Sequence, residues 1–198
     1  MFNKPYAESC EQNQQPILDV LKTVFTEPGK VLEVGSGTGQ HAVFFTQQLP
    51  HVHWFPTDVE DALPGIRLWI AEAGHDRITL PRALDVNMEI WPFRNMDYVF
   101  TANTTHIISW PEVKSMFRGI SQSLKTGGIF CQYGPFNYNG QYTSPSNQSF
   151  DQWLKNRDPE SGIRNFEDLV LLAKEHHMIL YADYIMPANN RILAWQKQ

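Results

Sequence analysis

The sequence predicts an α/β protein built on a doubly wound, seven-stranded sheet that is mostly parallel. Strand and helix patterns alternate along most of the 198 residues, and the right-handed crossover rule makes strands joined in this way parallel. An apolar strand runs into a glycine-rich turn at residues 35–39 and then into a helix, which is typical of such sheets. Two closing strand patterns separated by Pro187–Asn190 predict a hairpin, which adds an antiparallel edge.

The length and composition indicate one domain that spans residues 1–198. A chain of this length forms one substantial core, and 42% hydrophobic with 19% charged residues is ordinary for a soluble globular protein. No apolar run approaches the ~18 residues that a membrane span needs. The first five residues lack the apolar core of a secretory signal. We therefore expect a cytoplasmic protein that does not interact with membranes.

Charge and cysteine content narrow the choice of partners. The formal net charge is −5 and no run of lysine or arginine stands out, whereas nucleic-acid binding usually needs a basic footprint. Cys10 and Cys131 are far apart and form no CxxC or Cys/His cluster, so neither a metal site nor a disulfide framework is expected. A small-molecule substrate is the favoured partner, and the oligomeric state is left open.

The first half of the chain contains three helix patterns and three strand patterns. Pro16 suits an early position of the first helix, whose apolar residues recur at helical spacing, and Pro28-Gly29 ends that helix. The elements in order are a helix at 11–25, a strand at 30–34, a helix at 40–49, a strand at 52–57, a helix at 63–73 and a strand at 78–84. We expect residues 1–27 to form an N-terminal lid and helix.

The second half continues the alternation and closes with the hairpin. Pro111 opens a helix with one apolar face, and Gly127-Gly128 ends it. Residues 134–149 are rich in Gly, Asn, Ser and Pro, which predicts an ordered loop, and we expect residues 134–165 to form a substrate-side loop and helix insertion. The other elements are strands at 97–102 and 128–133, helices at 149–156 and 166–176, and strands at 178–186 and 191–196.

Glycine or polar residues follow each of the first four strands. They are the turn Gly35–Gly39, Asp58, Asp85 and Asn103. Ligands of doubly wound sheets bind at the carboxyl ends of the strands, so these positions predict one binding site. The glycines permit positive φ and a close approach of the ligand to the backbone. Asp58 follows the last glycine by 58 − 39 = 19 positions, where an acid can accept hydrogen bonds from ribose hydroxyls.

The spacing of the glycines helps to separate two kinds of nucleotide site. A dinucleotide site has the pattern G-x-G-x-x-G, whereas the third glycine here comes one position early and Gln40 takes its place. The turn also lacks the Lys-Ser/Thr pair of a phosphate-binding P-loop. Because an acid after the second strand is common to both kinds of site, a nicotinamide-dependent oxidoreductase stays open as an alternative.

The glycine turn and the strand ends resemble those of class I S-adenosylmethionine-dependent methyltransferases, whose fold is Rossmann-like. Glu33-Val-Gly-Ser-Gly-Thr-Gly39 is similar to their first motif, Asp58 to their ribose-binding acid, and Leu84-Asp85-Val86 to the strand end that holds the adenine amino group. Leu124-Lys-Thr-Gly-Gly128 resembles the turn before their fifth strand, with Thr126 at the usual proline position. The resemblance implies S-adenosylmethionine as cofactor and S-adenosylhomocysteine as product.

Segments along essentially the full chain resemble one branch, the domain-of-unknown-function 938 family, which includes methyltransferase-like protein 26. The start Glu11-Gln-Asn-Gln-Gln-Pro-Ile-Leu18 is similar to the family's Glu-Arg-Asn-x-x-Pro-Ile-Leu, with Gln12 in place of arginine. Further similar segments are Thr104-Thr-His-Ile107 with Trp110, Tyr133-Gly-Pro-Phe136, Ser146-Asn147, Phe150-Asp151, Arg157-Asp158 and Met186-Pro-Ala-Asn-Asn190. This family implies the fold and the cofactor but supplies no substrate.

The resemblance also implies a set of cofactor-binding residues at the ends of the first four strands. They are Glu33, Gly35, Ser36, Gly37, Gly39, His41, Asp58, Val59, Asp85, Val86 and Asn103. Glu33 is expected at the amino-acid end of the cofactor, with helix capping as the alternative. Asp58 and Asp85 are otherwise ordinary turn residues, and His41 either packs over the cofactor or caps its helix.

Three residues are candidates for the chemistry: Asn103, His106 and Tyr133. Asn-Thr-Thr-His departs from the Asn/Asp-Pro-Pro-Tyr/Phe pattern associated with methylating amino groups of bases or glutamine, which disfavours those acceptors. His106 is either a general base or a buried histidine bonded to backbone, and Tyr133 either orients the acceptor or fills space. Candidates on the substrate side are Tyr6, Glu11, Asn13 and Arg157, the last of which alternatively pairs with Asp158.

Methyl transfer from a sulfonium is an in-line displacement, in which the protein mainly positions the acceptor and excludes water. A general base is needed only when the acceptor must lose a proton, so the lack of an evident catalytic triad does not argue against an enzyme. The sequence therefore predicts an S-adenosylmethionine-dependent methyltransferase with a small-molecule acceptor. A catalytically silent binding or scaffold protein is the second hypothesis, and the oxidoreductase is the third.

Overall fold

The computed structural model describes residues 4–74 and 76–198, so the first three residues of the expected N-terminal lid lie outside the described part. The helices are α1 (Glu8–Val24), α2 (Gln40–Gln48), α3 (Leu63–Ala71), α4 (Trp110–Ser123), α5 (Pro145–Arg157) and α6 (Phe166–Glu175). The strands are β1 (Gly29–Val34), β2 (Val52–Asp58), β3 (Arg82–Ala83), β4 (Met96–Ala102), β5 (Leu124–Gly134), β6 (Phe136–Asn137), β7 (Arg164–Asn165), β8 (Met178–Met186) and β9 (Asn190–Lys197).

The predicted fold class is confirmed by the order and direction of the strands. Seven strands form one sheet in the order β3-β2-β1-β4-β5-β9-β8, and β1 to β5 are parallel. β9 runs antiparallel to both β5 and β8, so the closing hairpin forms as predicted. The two-residue strands β6 and β7 pair with each other outside this sheet. The reversal of strand order between β1 and β4 creates the crevice in which ligands of such sheets bind.

Apolar side chains bury both faces of the sheet. Side chains of successive strand residues point to opposite faces, so Phe100 and Val99 of β4 belong to different core clusters. On the face that carries α1 and α2, the rings of Phe45, Trp54 and Phe100 lie with centroids 5.4–5.9 Å apart. α4 and α6 cover the other face. The sheet is therefore the middle layer of three, and it fixes where the strand ends lie.

The third strand is much shorter than the predicted range 78–84. Its ladder with β2 comprises only Arg82 and Ala83, and one isolated bridge joins Ile78 to Trp54. Pro81 lies between these two contacts and has no N–H to donate to β2. The chain nevertheless follows β2, because the Leu84 N–H donates to the Asp58 carbonyl at 2.8 Å. The end of this strand still lies beside the end of β2.

Two other boundaries differ from the predicted ones and affect the site. α1 begins at Glu8, three residues before the predicted start, so Pro16 lies inside the helix rather than near its beginning. Because Pro16 has no N–H, the carbonyl of Gln12 lacks its helical donor. α5 begins at Pro145 instead of residue 149, since the Ser144 hydroxyl accepts a hydrogen bond from the Asn147 N–H and caps the helix.

Gly119 lies where α4 packs closely against the core on its face of the sheet. A Cβ at this position would lie 2.1 Å from a ring atom of the buried Trp91. Replacement of glycine by alanine in a helix usually stabilises by about 0.5–1 kcal/mol. Here the ring has to move, and we expect Gly119→Ala to lower the free energy of unfolding by about 1–3 kcal/mol.

Urea unfolding measures this change. Gln122→Ala, on the exposed side of the same helix, is the control and is expected to stay within about 0.5 kcal/mol of the parent. A Gly119→Ala variant as stable as the parent would contradict the close packing against Trp91.

Candidate functional site

The turn between β1 and α2 rests on a buried carboxylate. Glu33, which is 2% exposed, accepts hydrogen bonds at Oε2 from the Ser36 hydroxyl at 2.7 Å and from Nε1 of Trp54 at 3.0 Å. The Ser36 hydroxyl also accepts the N–H of Thr57 at 3.1 Å, which joins the turn to β2. Burial raises the pKa of Glu33 to about 7, although the two hydrogen bonds act in the opposite direction. The sequence interpretation of direct cofactor contact by Glu33 stays a prediction.

Two glycines of the turn meet different surroundings. Gly35 has φ 73°, and a Cβ there would lie 2.6 Å from Oγ1 of Thr104, so the turn packs directly against the loop that follows β4. Gly37 has φ 58°, and a Cβ there would meet nothing within 4 Å. Gly35 is thus required by packing, whereas the backbone at Gly37 is open on the side from which a ligand can approach.

Asp58 closes the other side of this turn. Its Oδ2 accepts the N–H of Gly37 at 2.6 Å, and its Oδ1 accepts the N–H of Val59 at 2.7 Å. Burial raises the pKa of Asp58, and the two backbone donors partly counter this effect. The Val59 side chain beside it is 57% exposed and presents an apolar surface. The structure thus brings together the glycine turn, Asp58 and Val59 as the sequence predicts.

Asp85 and Val86 follow β3 and occupy different environments. Asp85 is exposed, and its Oδ1 accepts the N–H of Asn87 at 2.8 Å, which is the turn role named as its alternative. Val86 packs against the core cluster on the α4 face of the sheet. A carboxylate at a strand end beside a partly buried valine suits a ligand that has both polar and apolar edges.

His41 joins α2 to α1. It is buried, its Nε2 lies 2.7 Å from Oδ1 of Asn13, and its ring stacks on Phe45 at 5.2 Å. Burial lowers the pKa of His41 to about 4, so the imidazole is neutral at pH 7. The N-cap of α2 is Gly39, and it has no side-chain cap, so His41 does not cap its helix. The link holds α1 beside the helix that follows the glycine turn.

A cavity of about 590 Å³ lies at the carboxyl ends of β4 and β5. Asn103, His106 and Tyr133 line it from these strands. α1 contributes Gln12, Asn13 and Pro16, while α5 and the turn between β8 and β9 form the opposite wall. Burial raises the pKa of Tyr133, and the side chain of Asn13 acts in the opposite direction. The cavity thus joins the three predicted catalytic candidates to the N-terminal helix.

Asn103 and His106 converge beside Gly134. A Cβ on Gly134 would lie 3.4 Å from Nδ1 of His106 and 3.9 Å from Oδ1 of Asn103. Asn103 has φ 58°, a conformation that asparagine tolerates, and its N–H donates to the Tyr133 carbonyl at 2.9 Å. In residues 4–74 and 76–198, no hydrogen bond joins the His106 ring to backbone or side chain, so the alternative of a backbone-bonded histidine has no support in the geometry.

The charge state of His106 follows from its surroundings. The side chain is 4% exposed and its ring packs edge-on against Phe150 at 5.3 Å. Burial, with smaller contributions from the charges of Arg164 and Arg157, lowers the pKa of His106 to about 4. The imidazole is therefore neutral at pH 7 and has a nitrogen free to accept a proton.

The four substrate-side candidates lie in different places. Only Asn13 lines the cavity that contains His106. Tyr6 and Glu11 contact each other and line a second cavity of about 300 Å³ between α1, α2 and α3. Arg157 is exposed, and its guanidinium lies 5.1 Å from the centre of the Trp153 ring. Its part in binding an acceptor stays a prediction.

Sequence reasoning missed the contact between α5 and the hairpin turn. Nδ2 of Asn147 donates to Oγ1 of Thr143 at 2.8 Å and to the carbonyl of Asn189 at 3.1 Å, which ties the two elements together. Ala188 and Asn189 have φ of 55° and 58°, so the turn is left-handed without glycine. Both segments occur among the family-like motifs, but nothing in their spacing shows that they meet.

Arg164 was also missed, and it holds the loop that carries His106. Its Nε donates to the carbonyl of Thr105 at 3.2 Å, and its Nη2 donates to the carbonyls of Ile108 and Glu160. A lone arginine between two helices has no sequence signal for this role. Its guanidinium fixes three backbone carbonyls and also places a positive charge near the imidazole of His106.

The strand order, the glycine turn after β1 and the acid after β2 together define a class I methyltransferase fold. The chain belongs to the family described as protein of unknown function (DUF938), which matches residues 4–197.

Solved structures show the same fold. The S-adenosylmethionine-dependent methyltransferase SibL is 22% identical, with a TM-score of 0.81 over 96% of this chain and 55% of that one. An O-methyltransferase family 2 protein from Planctomyces limnophilus, in complex with apigenin, is 17% identical, with a TM-score of 0.81 over 96% and 60% of the two chains. The pyocyanin biosynthetic protein PhzM is 14% identical, with a TM-score of 0.80 over 96% and 56%. The chain spans a little over half the length of these proteins.

Residues 4–74 and 76–198 contain neither a membrane-spanning helix nor a metal-binding cluster. None of the helices there has the length and apolar character needed to cross a membrane. The same residues contain no group of three His, Cys, Asp or Glu side chains placed to hold a metal ion.

The raised pKa of Glu33 leads to a prediction about stability and pH. The folded state binds a proton at Glu33 more tightly than the unfolded state, whose carboxyl titrates near 4.5. The contribution of Glu33 to stability therefore falls as the pH rises from about 4.5 through about 7. Glu33→Gln keeps an oxygen that can accept the hydrogen bonds from Ser36 and Trp54 but removes this titration. Between pH 5 and 8, its stability relative to the parent should rise by on the order of 2–3 kcal/mol.

Urea unfolding at several pH values measures the difference between the two proteins. Glu89→Gln, which removes an exposed carboxylate, is the control for a change of net charge. If the difference between Glu33→Gln and the parent does not change with pH, the buried carboxyl does not titrate as described.

Proposed function

We propose that this protein is an S-adenosylmethionine-dependent methyltransferase that acts on a small molecule. The observation that carries the proposal is the placement of a 590 Å³ cavity, with Asn103, His106 and Tyr133 on its wall, at the same sheet edge as the open glycine turn. The fold supports the proposal, and so does its likeness to S-adenosylmethionine-dependent and O-methyltransferases.

The residues at the strand ends fit the proposed cofactor. The open backbone at Gly37 leaves room for a ligand, and Asp58 offers two carboxylate oxygens beside it. In the proposal Asp58 accepts hydrogen bonds from the ribose hydroxyls of the cofactor. Asp85 and Val86 hold its adenine ring, and Asn103 lies near the reacting methyl group. When bound, the cofactor supplies a methyl group already activated by its positively charged sulfur.

The side chains that line the cavity bind and position the methyl acceptor in this proposal. The proposed acceptor contacts Tyr133 and Asn13, which orient it, while α1 and Phe150 exclude water from the reacting atoms. The neutral imidazole of His106 can accept a proton from the acceptor. No further catalytic group is required, because the methyl group is transferred by direct displacement.

The proposal also covers the subtype and the location of the protein. We predict that the chain is of the methyltransferase-like protein 26 type within its family and that it is located in the cytoplasm. A small molecule is preferred to a nucleic acid as the acceptor, since the net charge is −5 and no lysine or arginine of the described residues lines the cavity.

Calorimetric titration tests the cofactor. We expect the protein to bind S-adenosylmethionine and S-adenosylhomocysteine but not NAD. Asp58→Ala should weaken binding of both sulfur nucleotides by about tenfold to a hundredfold, because it removes a charged acceptor worth about 1.5–3 kcal/mol. Asp61→Ala, an exposed acid three residues further on, is the matched control and should bind like the parent. Binding of NAD alone would refute the proposed function.

Transfer of a labelled methyl group to a panel of metabolites tests turnover. Loss of a general base commonly lowers the rate by about 10²–10⁴-fold, and we expect His106→Ala to fall in this range. Its affinity for S-adenosylhomocysteine should stay near that of the parent. His53→Ala, on the exposed side of β2, is the control. A protein that binds the cofactor but labels nothing in the panel would favour the silent binding protein.

A further inference from the structure

We infer, on the basis of the proposed function, that the methyl acceptor is an uncharged hydroxyl compound with a flat ring. The hydroxyl oxygen of this compound would receive the methyl group. The inference rests on three properties of the 590 Å³ cavity: the absence of ionised groups on its wall, the rings that line it, and the charges behind His106.

The wall of the cavity is polar but uncharged. No aspartate, glutamate, lysine or arginine lines it among residues 4–74 and 76–198, although such residues make up 19% of the chain. Its polar groups are mainly amides, supplied by Gln12, Asn13, Asn103, Asn147 and Asn190. A charged ligand would lose hydration here without gaining an ionic partner, which disfavours its binding. Amides both donate and accept hydrogen bonds, so they suit neutral hydroxyl and carbonyl groups.

Rings give the cavity a flat apolar side. Phe150 meets His106 edge-on at 5.3 Å and stacks on Trp153 at 5.8 Å with an interplanar angle of 13°. These contacts fix the plane of Phe150, and the rings of Tyr133 and Pro16 lie on other parts of the wall. A planar ring placed against Phe150 gains both buried area and favourable ring contacts. The volume of the cavity is of the size that takes one drug-sized ligand.

Positive charge near His106 favours a hydroxyl oxygen over a protonated amine as the atom that receives the methyl group. The guanidinium of Arg164 donates to the carbonyls of Thr105 and Ile108, on either side of His106, and so places positive charge near the imidazole. A protonated amine brings a further positive charge into this region without a carboxylate on the wall to balance it. A hydroxyl enters neutral and donates its hydrogen bond to the free nitrogen of His106.

The atoms and charges of this reaction balance. The hydroxyl oxygen forms a bond to the methyl carbon, and the electron pair of the carbon–sulfur bond stays on sulfur. The hydroxyl proton moves to the imidazole of His106 and passes to solvent once the methyl ether has left.

Three probes that share one ring system test the inference by binding alone. They are 2-naphthalenemethanol, 2-naphthylmethylamine and 2-naphthoate, which at pH 7 are neutral, positive and negative. Titration against the protein in excess S-adenosylhomocysteine, followed by calorimetry, gives the three affinities. We expect the alcohol to bind at least about tenfold more tightly than either charged probe, a difference of about 1.4 kcal/mol.

Variants show whether the alcohol occupies this cavity. Phe150→Leu keeps an apolar side chain without the ring and should weaken binding of the alcohol by about fivefold or more. Leu171→Ala, an exposed apolar residue on α6, is the control and should bind like the parent. Equal or tighter binding of a charged probe, or no binding of the alcohol, would overturn the inference. Failure to bind S-adenosylhomocysteine would instead overturn the proposed function, because the probes can also be titrated without it.

Discussion

The buried carboxyl of Glu33 is the interaction on which the rest of the site depends. Through Ser36 and Trp54 it holds the glycine turn against β2, and the turn in turn supplies the N–H that Asp58 accepts. On its other side, Gly35 packs against Thr104 at the start of the loop that carries His106. One carboxyl group therefore relates the ends of β1, β2 and β4, which are three of the strand ends that build the site.

Such a group is costly to bury, and burial accordingly raises its pKa. Two hydrogen bonds to one oxygen do not fully replace the hydration of a charged carboxylate. Replacing Glu33 by an apolar residue would avoid the penalty but would leave the Ser36 hydroxyl and the Trp54 N–H buried without an acceptor. In the described residues, the hydrogen-bond acceptor for both donors is Oε2 of Glu33.

The features that were predictable from the sequence are those that depend on local chemistry. Alternating patterns, the three glycines and the acids at strand ends were enough to predict the sheet, its hairpin and the position of the turn. Less predictable features depend on contacts between distant segments. Pro81 interrupts the pairing of β3 with β2 only once the two segments lie side by side. Asn147 meets Asn189 only after α5 and the hairpin have packed. The role of Arg164 likewise exists only in the folded chain.

The two halves of the site follow different physical rules, which explains why one half was easier to infer. At the glycine turn, backbone groups and a carboxylate must face the proposed cofactor. Few residue types can meet this requirement, so the sequence pattern indicates the site. The cavity around His106 needs only neutral hydrogen-bonding groups and a flat apolar surface, which many residue combinations can provide. The selectivity proposed for it comes from what its described wall lacks: an ionised side chain that could pair with a charged acceptor. The imidazole of His106, kept neutral by burial and by the nearby charge of Arg164, adds to that wall a group without a charge of its own.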